Sequence, residues 1–305
     1  MARPRTEVAA TLGLTAVTAV WGSTFFLIKD VVTVLPVADF LAVRFWVAAA
    51  VMGVAFWPHV RRLDARAWRR GLALGVVYGV AQLLQTWGLA HTSASVSGFV
   101  TGMYVVLTPV LGALLLRQRT PATTWLAVAL ATAGLGVLSL RGLAVGFGEA
   151  VTLASAAVYA LHILGLGAWS TQRDALGLST VQMLAIAVTC TGAALPGGVV
   201  APPDAESWGA VLYMAVVAGA GALVVQTWAQ AHLAATRAAI VMTTEPVFAA
   251  VFAVAFGGES LGPRVLAGGA LVLAAMYLAE LGPRRARREV TAALDPPAEA
   301  LHHEP

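Results

Sequence analysis

Long runs of apolar residues, each about the length needed to cross a bilayer, follow one another along most of the chain. A membrane-spanning helix needs about 20 such residues, and residues 71–116 contain no Asp, Glu, Lys or Arg, which leaves room for two helices in succession. The pattern predicts an all-α polytopic membrane protein with ten transmembrane helices, at residues 8–29, 36–57, 70–90, 94–116, 121–140, 148–170, 177–195, 207–230, 236–257 and 263–281.

The composition favours a membrane protein over a large soluble one. The chain is 59% hydrophobic and 11% charged, with a mean hydropathy of +0.81, whereas soluble domains carry about 25% charged residues. Helices of a soluble protein would need polar outer faces, and most of the predicted helices have none. The first apolar run is too long for a signal peptide, and Trp21-Gly22-Ser23 is a poor cleavage site. We therefore expect this run to be retained as the first helix.

Basic residues are distributed unequally between the connections, which predicts the orientation. With ten spans, both termini and the even-numbered connections share one side, and 15 of the 19 Lys and Arg residues fall there. Lys29, Arg141 and Arg264 fall on the other side, and Arg44 lies within a helix. Cytoplasmic loops carry the excess of basic residues, so we predict a cytoplasmic-membrane protein with both termini in the cytoplasm. The net charge of +4 reflects this topology, and no nucleic-acid partner is expected.

The two halves of the chain repeat each other. Gln85-Thr86-Trp87 with His91 matches Gln226-Thr227-Trp228 with His232, 141 positions later. Further matches at offsets of 138, 138 and 137 are Trp21 with Tyr159, Arg44 with Gln182, and Thr108-Pro109-Val110 with Glu245-Pro246-Val247.

These matches predict two repeats, residues 8–141 and 148–281, after a cytoplasmic N-terminus at residues 1–7. Each repeat holds five predicted helices, and an odd number inserts the second copy upside down relative to the first. Inverted repeats are an architecture of secondary transporters.

Motifs of common enzymes are absent from the sequence. It contains no G-x-x-x-x-G-K-[ST], H-E-x-x-H or G-x-S-x-G. Its single cysteine, Cys190, cannot form an intrachain disulfide, and no Cys/His spacing suits a metal. We therefore expect no catalytic residues, no cofactor and no metal. The tail, residues 282–305, is predicted to be disordered and cytoplasmic, with its cluster at Arg284-Arg285 lying on anionic lipid headgroups.

Polar and aromatic side chains recur at helical spacing on several predicted spans. Residues at i, i+3, i+4 and i+7 share a helix face, and polar groups in a membrane should face the bundle interior or a water-filled cavity. For any single Ser, Thr or Gln, hydrogen bonding between helices is the favoured explanation, but stripes in both halves favour a shared cavity. The predicted substrate-binding residues are Trp21, Thr24, Tyr78, Gln82, Gln85, Thr101, Tyr104, Tyr159, His162, Gln226 and Glu245.

Glycines and prolines predict features of helix packing. Gly71, Gly75 and Gly79 stand four residues apart, the spacing that lets membrane helices approach closely. Pro109 and Pro246 lie at matching places in the two halves, where each removes a backbone hydrogen bond and can kink its helix. Matched kinks predict a hinge or a midplane site, although two static kinks would give the same pattern.

Among the Asp, Glu, Lys and Arg residues, Arg44 and Glu245 are the two that lie well inside predicted spans. A charge at that depth costs at least about 2.5 kcal/mol unless it is compensated. Two roles remain open. The two residues pair across the halves as a structural lock, or Glu245 faces the cavity and binds a proton or a cationic group of the substrate. His162 fits a hydrogen-bonded packing residue better than a proton relay.

Several motifs, taken in order, resemble the EamA-type transporters of the drug/metabolite transporter superfamily. They are Trp21-Gly22-Ser23-Thr24-Phe25 with Lys29 and Arg44-Phe45, the run from Gly98 to Pro109, Glu245 to Ala250, and Gly258-Glu259 with Pro263 and Gly268.

The resemblance covers about residues 8–281. It implies ten spans in two inverted five-helix repeats and transport by alternating access, in a family that includes exporters of amino acids and other metabolites. Members often end the fourth span with Gly-Glu, where this chain has Arg117-Gln118. Whatever that Glu does in the first half is therefore in question here.

These observations predict a secondary transporter that moves a small metabolite, amino-acid-like or another amphipathic solute, across the cytoplasmic membrane, as an exporter. Its expected partners are a small-molecule substrate and membrane lipid, with proton coupling as an open possibility. A channel-like facilitator and a non-transporting membrane scaffold are the alternatives. A scaffold would not need matched polar stripes in both halves.

Overall fold

The structure, a computed structural model, describes residues 4–116, 122–141, 144–169, 174–232 and 241–294. The first half of the chain forms α1 (Pro4–Val31), α2 (Val37–Val60), α3 (Ala65–Ala90), α4 (Ala94–Gly102), α5 (Tyr104–Leu116) and α6 (Ala122–Ser139). Two-residue antiparallel strands, β1 (Leu140–Arg141) and β2 (Ala144–Val145), lead into the second half. The second half forms α7 (Phe147–Trp169), α8 (Ala175–Ala194), α9 (Ala205–Leu212), a π-helix (Tyr213–Gly221), α10 (Ala222–His232), α11 (Glu245–Ala255) and α12 (Pro263–Leu294).

Within the described residues, seven helical segments are long and apolar enough to cross a membrane, and three shorter apolar helices accompany them. The shorter ones are Ala122–Leu138, Glu245–Ala255 and Pro263–Ala279. Large apolar side chains lie on the outer surface, among them Trp57 and Val54, which are 55% and 84% exposed. Such a surface suits lipid and not water. The predicted all-helical membrane architecture is confirmed at this level.

Polar residues just outside the apolar runs set where several helices begin. The Asp64 carboxylate accepts a hydrogen bond from the N–H of Ala67 at 2.7 Å, so α3 starts several residues before its apolar run. Ser93 caps α4 in the same way through the N–H of Val96. Asp204 caps α9 through the N–H of Ser207, and that hydrogen bond lowers the pKa of the Asp204 carboxyl. A cap satisfies N–H groups that have no partner within the helix.

Two predicted spans are interrupted. The span predicted at 94–116 is divided by a turn at Met103 into α4 and α5, with Pro109 inside α5. In the span predicted at 236–257, residues 236–240 lie outside the described residues, and a turn at Thr243 and Thr244 precedes α11. Pro246 therefore occupies the first turn of α11 instead of a helix interior. Proline suits that position because an N–H there has no helical partner.

The segment that the sequence predicts to be a disordered tail, residues 282–305, begins inside helix α12. Helix α12 continues to Leu294, because the Arg, Ala, Glu and Leu residues that dominate this segment are good helix formers. Residues 295–305 lie outside the described part of the chain.

Helices of the first half pack mainly on helices of the second half. Helix α3 contacts α7 and α8, α2 contacts α8, and α1 contacts α10 and α11. Helix α4 contacts α11, and α6 contacts α12. The bundle core is thus the interface between the two halves.

Glycines allow the closest of these contacts, as their spacing predicts. A Cβ at Gly75 would lie 2.5 Å from the backbone oxygen of Gln182, and one at Gly71 would lie 2.9 Å from Val181. Gly79 faces Thr189 in the same way. The three glycines bring α3 against α8, which positions the polar faces of both helices.

A carboxylate from the second half caps a helix of the first. Glu259, in the connection before α12, accepts hydrogen bonds from the N–H of Ala94 at 2.5 Å, the N–H of Ser95 at 3.2 Å and the hydroxyl of Ser95 at 2.6 Å. Lys29 Nζ lies 3.9 Å from the same carboxylate and donates to the carbonyl oxygen of Thr92. The carboxylate suits the positive N-terminal end of α4 and joins the halves at this end of the bundle, called the Lys29 end below.

Candidate functional site

Three aromatic rings from α3 and α7 form the centre of the candidate site. The ring centroids of Tyr78 and Tyr159 are 5.2 Å apart, and those of Tyr78 and His162 are 5.0 Å apart, both edge to face. The rings meet because α3 packs on α7, and the spacing Tyr159 to His162 places both on one face of α7. We call this group and its hydrogen-bonded neighbours the tyrosine cluster.

Hydrogen bonds extend the tyrosine cluster along α3 and onto α4. The Tyr159 hydroxyl donates to Gln85 Oε1 at 2.8 Å, and Gln85 Nε2 donates to the Thr101 hydroxyl at 3.2 Å. Gln82 Nε2 lies 3.4 Å from the Tyr78 hydroxyl. Tyr104 joins through its ring, 6.5 Å from that of Tyr159. The structure therefore brings together seven of the predicted site residues.

Gln182 also belongs to the tyrosine cluster and was not among the predicted site residues. His162 Nε2 and Gln182 Oε1 are 2.7 Å apart, and both side chains are buried. Gln182 stands on α8 at the place that matches Arg44 of α2 in the repeat. That correspondence was the sequence signal that pointed to it. The hydrogen bond fits the predicted packing role of His162.

Arg44 is buried on α2 and forms no ion pair with a carboxylate of the described residues. Its side chain is 7% exposed, and its Nε has no hydrogen-bond partner in the part of the chain that the structure describes. Its guanidinium carbon is 5.1 Å from the ring centroid of Phe45 and 5.9 Å from that of Phe40. Such cation–π contacts are worth about 0.5–2 kcal/mol, less than the roughly 2.5–3.5 kcal/mol that a buried charge in a membrane costs.

Glu245 lies on the opposite half of the chain but near the same rings. It is the first residue of α11 and is partly buried. Both Glu245 and Arg44 are close enough to Tyr78 and Tyr159 to interact with them electrostatically. Within the described residues, the one ion pair is that of Lys29 with Glu259, so Arg44 and Glu245 do not form the direct pair that a structural lock needs in this conformation.

Three predicted site residues have their contacts elsewhere. The Trp21 indole N–H donates to the carbonyl of Ala218 in the π-helix at 2.9 Å, and the Thr24 hydroxyl donates to the carbonyl of Trp21. Gln226 Nε2 lies 3.8 Å from Met242 Sδ. These residues line the contact of α1 and α10 with the elements beside them, not the tyrosine cluster.

A cleft of about 620 Å³ opens at the Lys29 end, between α1, α9 and α11. Its walls carry the rings of Phe26, Phe252 and Phe256 and the carboxylates of Asp30 and Glu206. Its polar lining includes the hydroxyls of Ser23 and Tyr213, which are 2.9 Å apart, and neither was a predicted site residue. Sequence spacing could not find this cleft, because its walls come from three helices distant in sequence.

An apolar layer contacts both the cleft and the tyrosine cluster. It is a buried group that includes Phe25, Phe40, Phe45 and Met214. Tyr213 packs against this layer from the cleft, and Tyr78 packs against it from the tyrosine cluster.

No group of three or more His, Cys, Asp and Glu side chains is placed to hold a metal ion in the part of the chain that the structure describes. Cys190 is buried and unpaired with any other cysteine. The polar chemistry of the site is therefore that of hydroxyl, amide, imidazole, guanidinium and carboxylate groups.

The apolar helices, the lipid-compatible surface and the buried polar cluster define a multi-pass helical membrane protein. The chain belongs to the EamA-like transporter family, whose profile matches residues 9–140 and again residues 146–281. It is 28% identical over 274 residues to an uncharacterized transporter of Archaeoglobus fulgidus. The aligned region covers 89% of this chain and 86% of that protein. The resemblance seen in the sequence is confirmed, and the family is one of transporters and not of enzymes.

The fold also resembles a solved crystal structure of another protein. The TM-score is 0.62 at 20% sequence identity, and the similarity covers 91% of this chain and 98% of that one. At this identity the likeness concerns the fold alone.

Proposed function

We propose that this protein is a secondary transporter that moves a small amphipathic metabolite across the cytoplasmic membrane by alternating access, in the direction of export. The observation that carries the proposal is the tyrosine cluster, in which the Tyr159 hydroxyl of the second half donates to Gln85 of the first. A buried polar and aromatic site at the interface of two halves is where secondary transporters bind their substrates.

The cleft and the apolar layer support alternating access. The cleft opens at the Lys29 end, and the layer around Phe25 and Phe45 contacts residues of both the cleft and the tyrosine cluster. In the proposed cycle, this layer opens when the solute leaves, and the opposite end closes. Rocking of one half against the other would do both, because the halves meet along the whole bundle core.

Ten spans in two inverted five-helix repeats, residues 8–141 and 148–281, account for the packing pattern. Seven long and three shorter apolar helices are present in the described residues. The contact of α3 with α7 is matched by the contact of α10 with α1, in which each helix is replaced by its equivalent from the other repeat. Two further contacts, α2 with α8 and α6 with α12, join a helix to its own equivalent in the other repeat. A pseudo-two-fold axis within the membrane plane would produce these matched contacts.

The proposed topology places both termini in the cytoplasm and the Lys29 end outside. The distribution of basic residues supports it. Reporter fusions after Pro305 and in the connection near Asp204 are expected to lie on opposite sides of the membrane. A result with both reporters on the same side would contradict the ten-span topology.

Counterflow in proteoliposomes tests the transport proposal. Purified protein is reconstituted into vesicles preloaded with a pool of unlabelled small metabolites, and uptake of labelled pool members is followed. We expect saturable uptake that depends on the preloaded solute, because exchange requires a binding site that alternates. Uptake that does not saturate and ignores the preload would indicate a channel-like facilitator. No uptake of any pool member, with protein correctly reconstituted, would favour a scaffold.

A further inference from the structure

The π-helix between α9 and α10 has an unusual hydrogen-bond pattern at its end. It covers Tyr213–Gly221, nine residues, whereas π geometry occurs mostly as single turns inside α-helices and frequently at functional sites. In an α-helix each N–H donates to the carbonyl oxygen four residues earlier. Here the N–H of Ala222 donates to the carbonyl oxygens of Val217 and Gly219. The carbonyl of Ala218 therefore lacks the partner that an α-helix would give it.

Trp21 of α1 takes the place of that partner. Its indole N–H donates to the carbonyl oxygen of Ala218 at 2.9 Å, and Ala218 is buried. A backbone polar group inside a membrane bundle needs a partner within the protein, which the indole supplies. The same helix holds the start of the π-helix, because the hydroxyls of Ser23 and Tyr213 are 2.9 Å apart. Two residues of α1 thus hold the π-helix, one at its start and one near its end.

Two glycines near the end of the π-helix suit its geometry. A Cβ at Gly219 would lie 3.3 Å from the carbonyl oxygen of Met214, and one at Gly221 would lie 3.2 Å from that of Val216. Each oxygen belongs to the residue five positions earlier, the spacing that defines π hydrogen bonds. Side chains at both positions would crowd the π form, and alanine is a far better α-helix former than glycine. Glycine at both positions therefore favours the π form.

We propose that this π-helix is a conformational switch and that Trp21 holds it in the π form. When the indole leaves Ala218, the N–H of Ala222 takes the freed carbonyl oxygen and the segment becomes α-helical. Helix α10 then turns about its axis relative to α9, because the number of residues per turn between them has changed. Gln226, one turn after Ala222, leaves Met242 as a result.

The switch connects the cleft to α10. Ser23 and Tyr213 line the cleft, and Nε2 of Gln226 lies 3.8 Å from Sδ of Met242. Gln226 has the repeat position of Gln85, which bonds within the tyrosine cluster. A movement of α1 at the cleft would therefore change the face on which α10 presents Gln226. This role in transport rests on the proposed function, whereas the change of helix type does not.

Crosslinking between Gln226 and Met242 reports which form is present. The reporter protein carries Gln226→Cys and Met242→Cys together with Cys190→Ala, and a short bifunctional thiol reagent joins the two new cysteines in the π form. Trp21→Phe keeps an aromatic ring but lacks the N–H donor. In this variant we expect the crosslinking rate to fall about threefold, the change in population that corresponds to one hydrogen bond between membrane helices.

Gly219→Ala combined with Gly221→Ala tests the switch without removing a contact of α1. Since it disfavours the π form from within the helix, the crosslinking rate should fall at least as far as in Trp21→Phe. The control is Gly53→Ala on α2, which should crosslink at the wild-type rate. Apart from its chain neighbours and the backbone of its own helix, a Cβ at Gly53 has no heavy atom of the described residues within 4 Å.

Unchanged crosslinking in either variant would overturn the proposal. In Trp21→Phe it would mean that the indole does not hold the π form, and in the glycine variant that the segment does not convert. A fall in Trp21→Phe alone would also overturn it, because that result indicates loosened packing of α1. If Trp21→Phe does not fold, the glycine variant decides.

The switch and the proposed transport fail in different ways. Crosslinking is measured on purified protein in detergent without solute, so it does not depend on exchange. If the wild type exchanges solutes in proteoliposomes and the variants crosslink like the wild type, the switch is refuted and transport stands. If the wild type exchanges nothing while crosslinking falls as expected, transport is refuted and the switch stands.

Discussion

Replacing Glu245 by glutamine is expected to abolish gradient-driven transport and to leave the protein folded. The carboxylate is partly buried at the start of α11, and no hydrogen bond or ion pair holds it among the described residues. It interacts electrostatically with Tyr78 and Tyr159, where the solute is proposed to bind. Glutamine keeps the size of the side chain but cannot take up or release a proton. Uptake driven by an imposed pH gradient should therefore fall at least about tenfold, which corresponds to about 1.4 kcal/mol.

Glu149 provides the matched control for this experiment. It is 6% exposed and accepts a hydrogen bond from the Thr92 hydroxyl, a contact that glutamine can also make. Glu149→Gln should keep gradient-driven uptake near the wild-type rate. If Glu245→Gln loses folded protein instead of coupling, and the double change of Arg44 and Glu245 to leucine restores it, the two residues form a structural lock in another conformation. Unchanged uptake and stability in Glu245→Gln would refute both roles.

Gly75→Ala is expected to destabilise the protein by about 2–3 kcal/mol, because a methyl group does not fit between α3 and α8. The new Cβ would lie 2.5 Å from the carbonyl oxygen of Gln182, 2.9 Å from its Cα and 2.5 Å from the Cβ of Ala185. Backbone atoms cannot give way locally, so the two helices must separate. Melting of the purified variant in detergent should occur roughly 4–10 °C below the wild type.

Gly192 on α8 is the control for the glycine experiment. Apart from its chain neighbours and the backbone of its own helix, a Cβ there has no heavy atom of the described residues within 4 Å. Gly192→Ala should therefore be neutral or slightly stabilising, since alanine restricts the unfolded chain more than glycine does. Separation of α3 from α8 would also displace Gln182, the partner of His162. Gly75→Ala should therefore lose transport as well as stability. Equal melting of the two variants would mean that α3 and α8 are not in the contact described.

The sequence predicted the helices well because a membrane span needs a long apolar run. It failed where backbone geometry depends on neighbouring elements. The turn at Met103 occurs within a run that has no charged residue and is long enough for one span, so charge and length gave no sign of it. Capping by Asp64 extended α3 beyond the apolar part, and the good helix formers of the tail carried α12 to Leu294.

The tyrosine cluster was predictable to the extent that helical spacing decides which residues share a face. Spacing placed Tyr78 with Gln82 on one helix face and Tyr159 with His162 on another, and in the structure Tyr78 contacts the rings of both Tyr159 and His162. It could not say which neighbour each face meets, because that depends on the rotation and tilt of the helices. Gln226 has the repeat position of Gln85, yet it lies against Met242. The two halves therefore contribute unequally to the cluster.

The cap that Glu259 places on α4 sets an order on the making of the protein. Its hydrogen bonds join Ala94 and Ser95 to a residue about 165 positions later in the chain. At about 5–20 residues per second, a ribosome needs on the order of ten to thirty seconds to cover that distance. Helix α4 is therefore synthesised long before the Glu259 carboxylate that caps it. The first half can complete this end of the bundle only after nearly all of the second half has been synthesised.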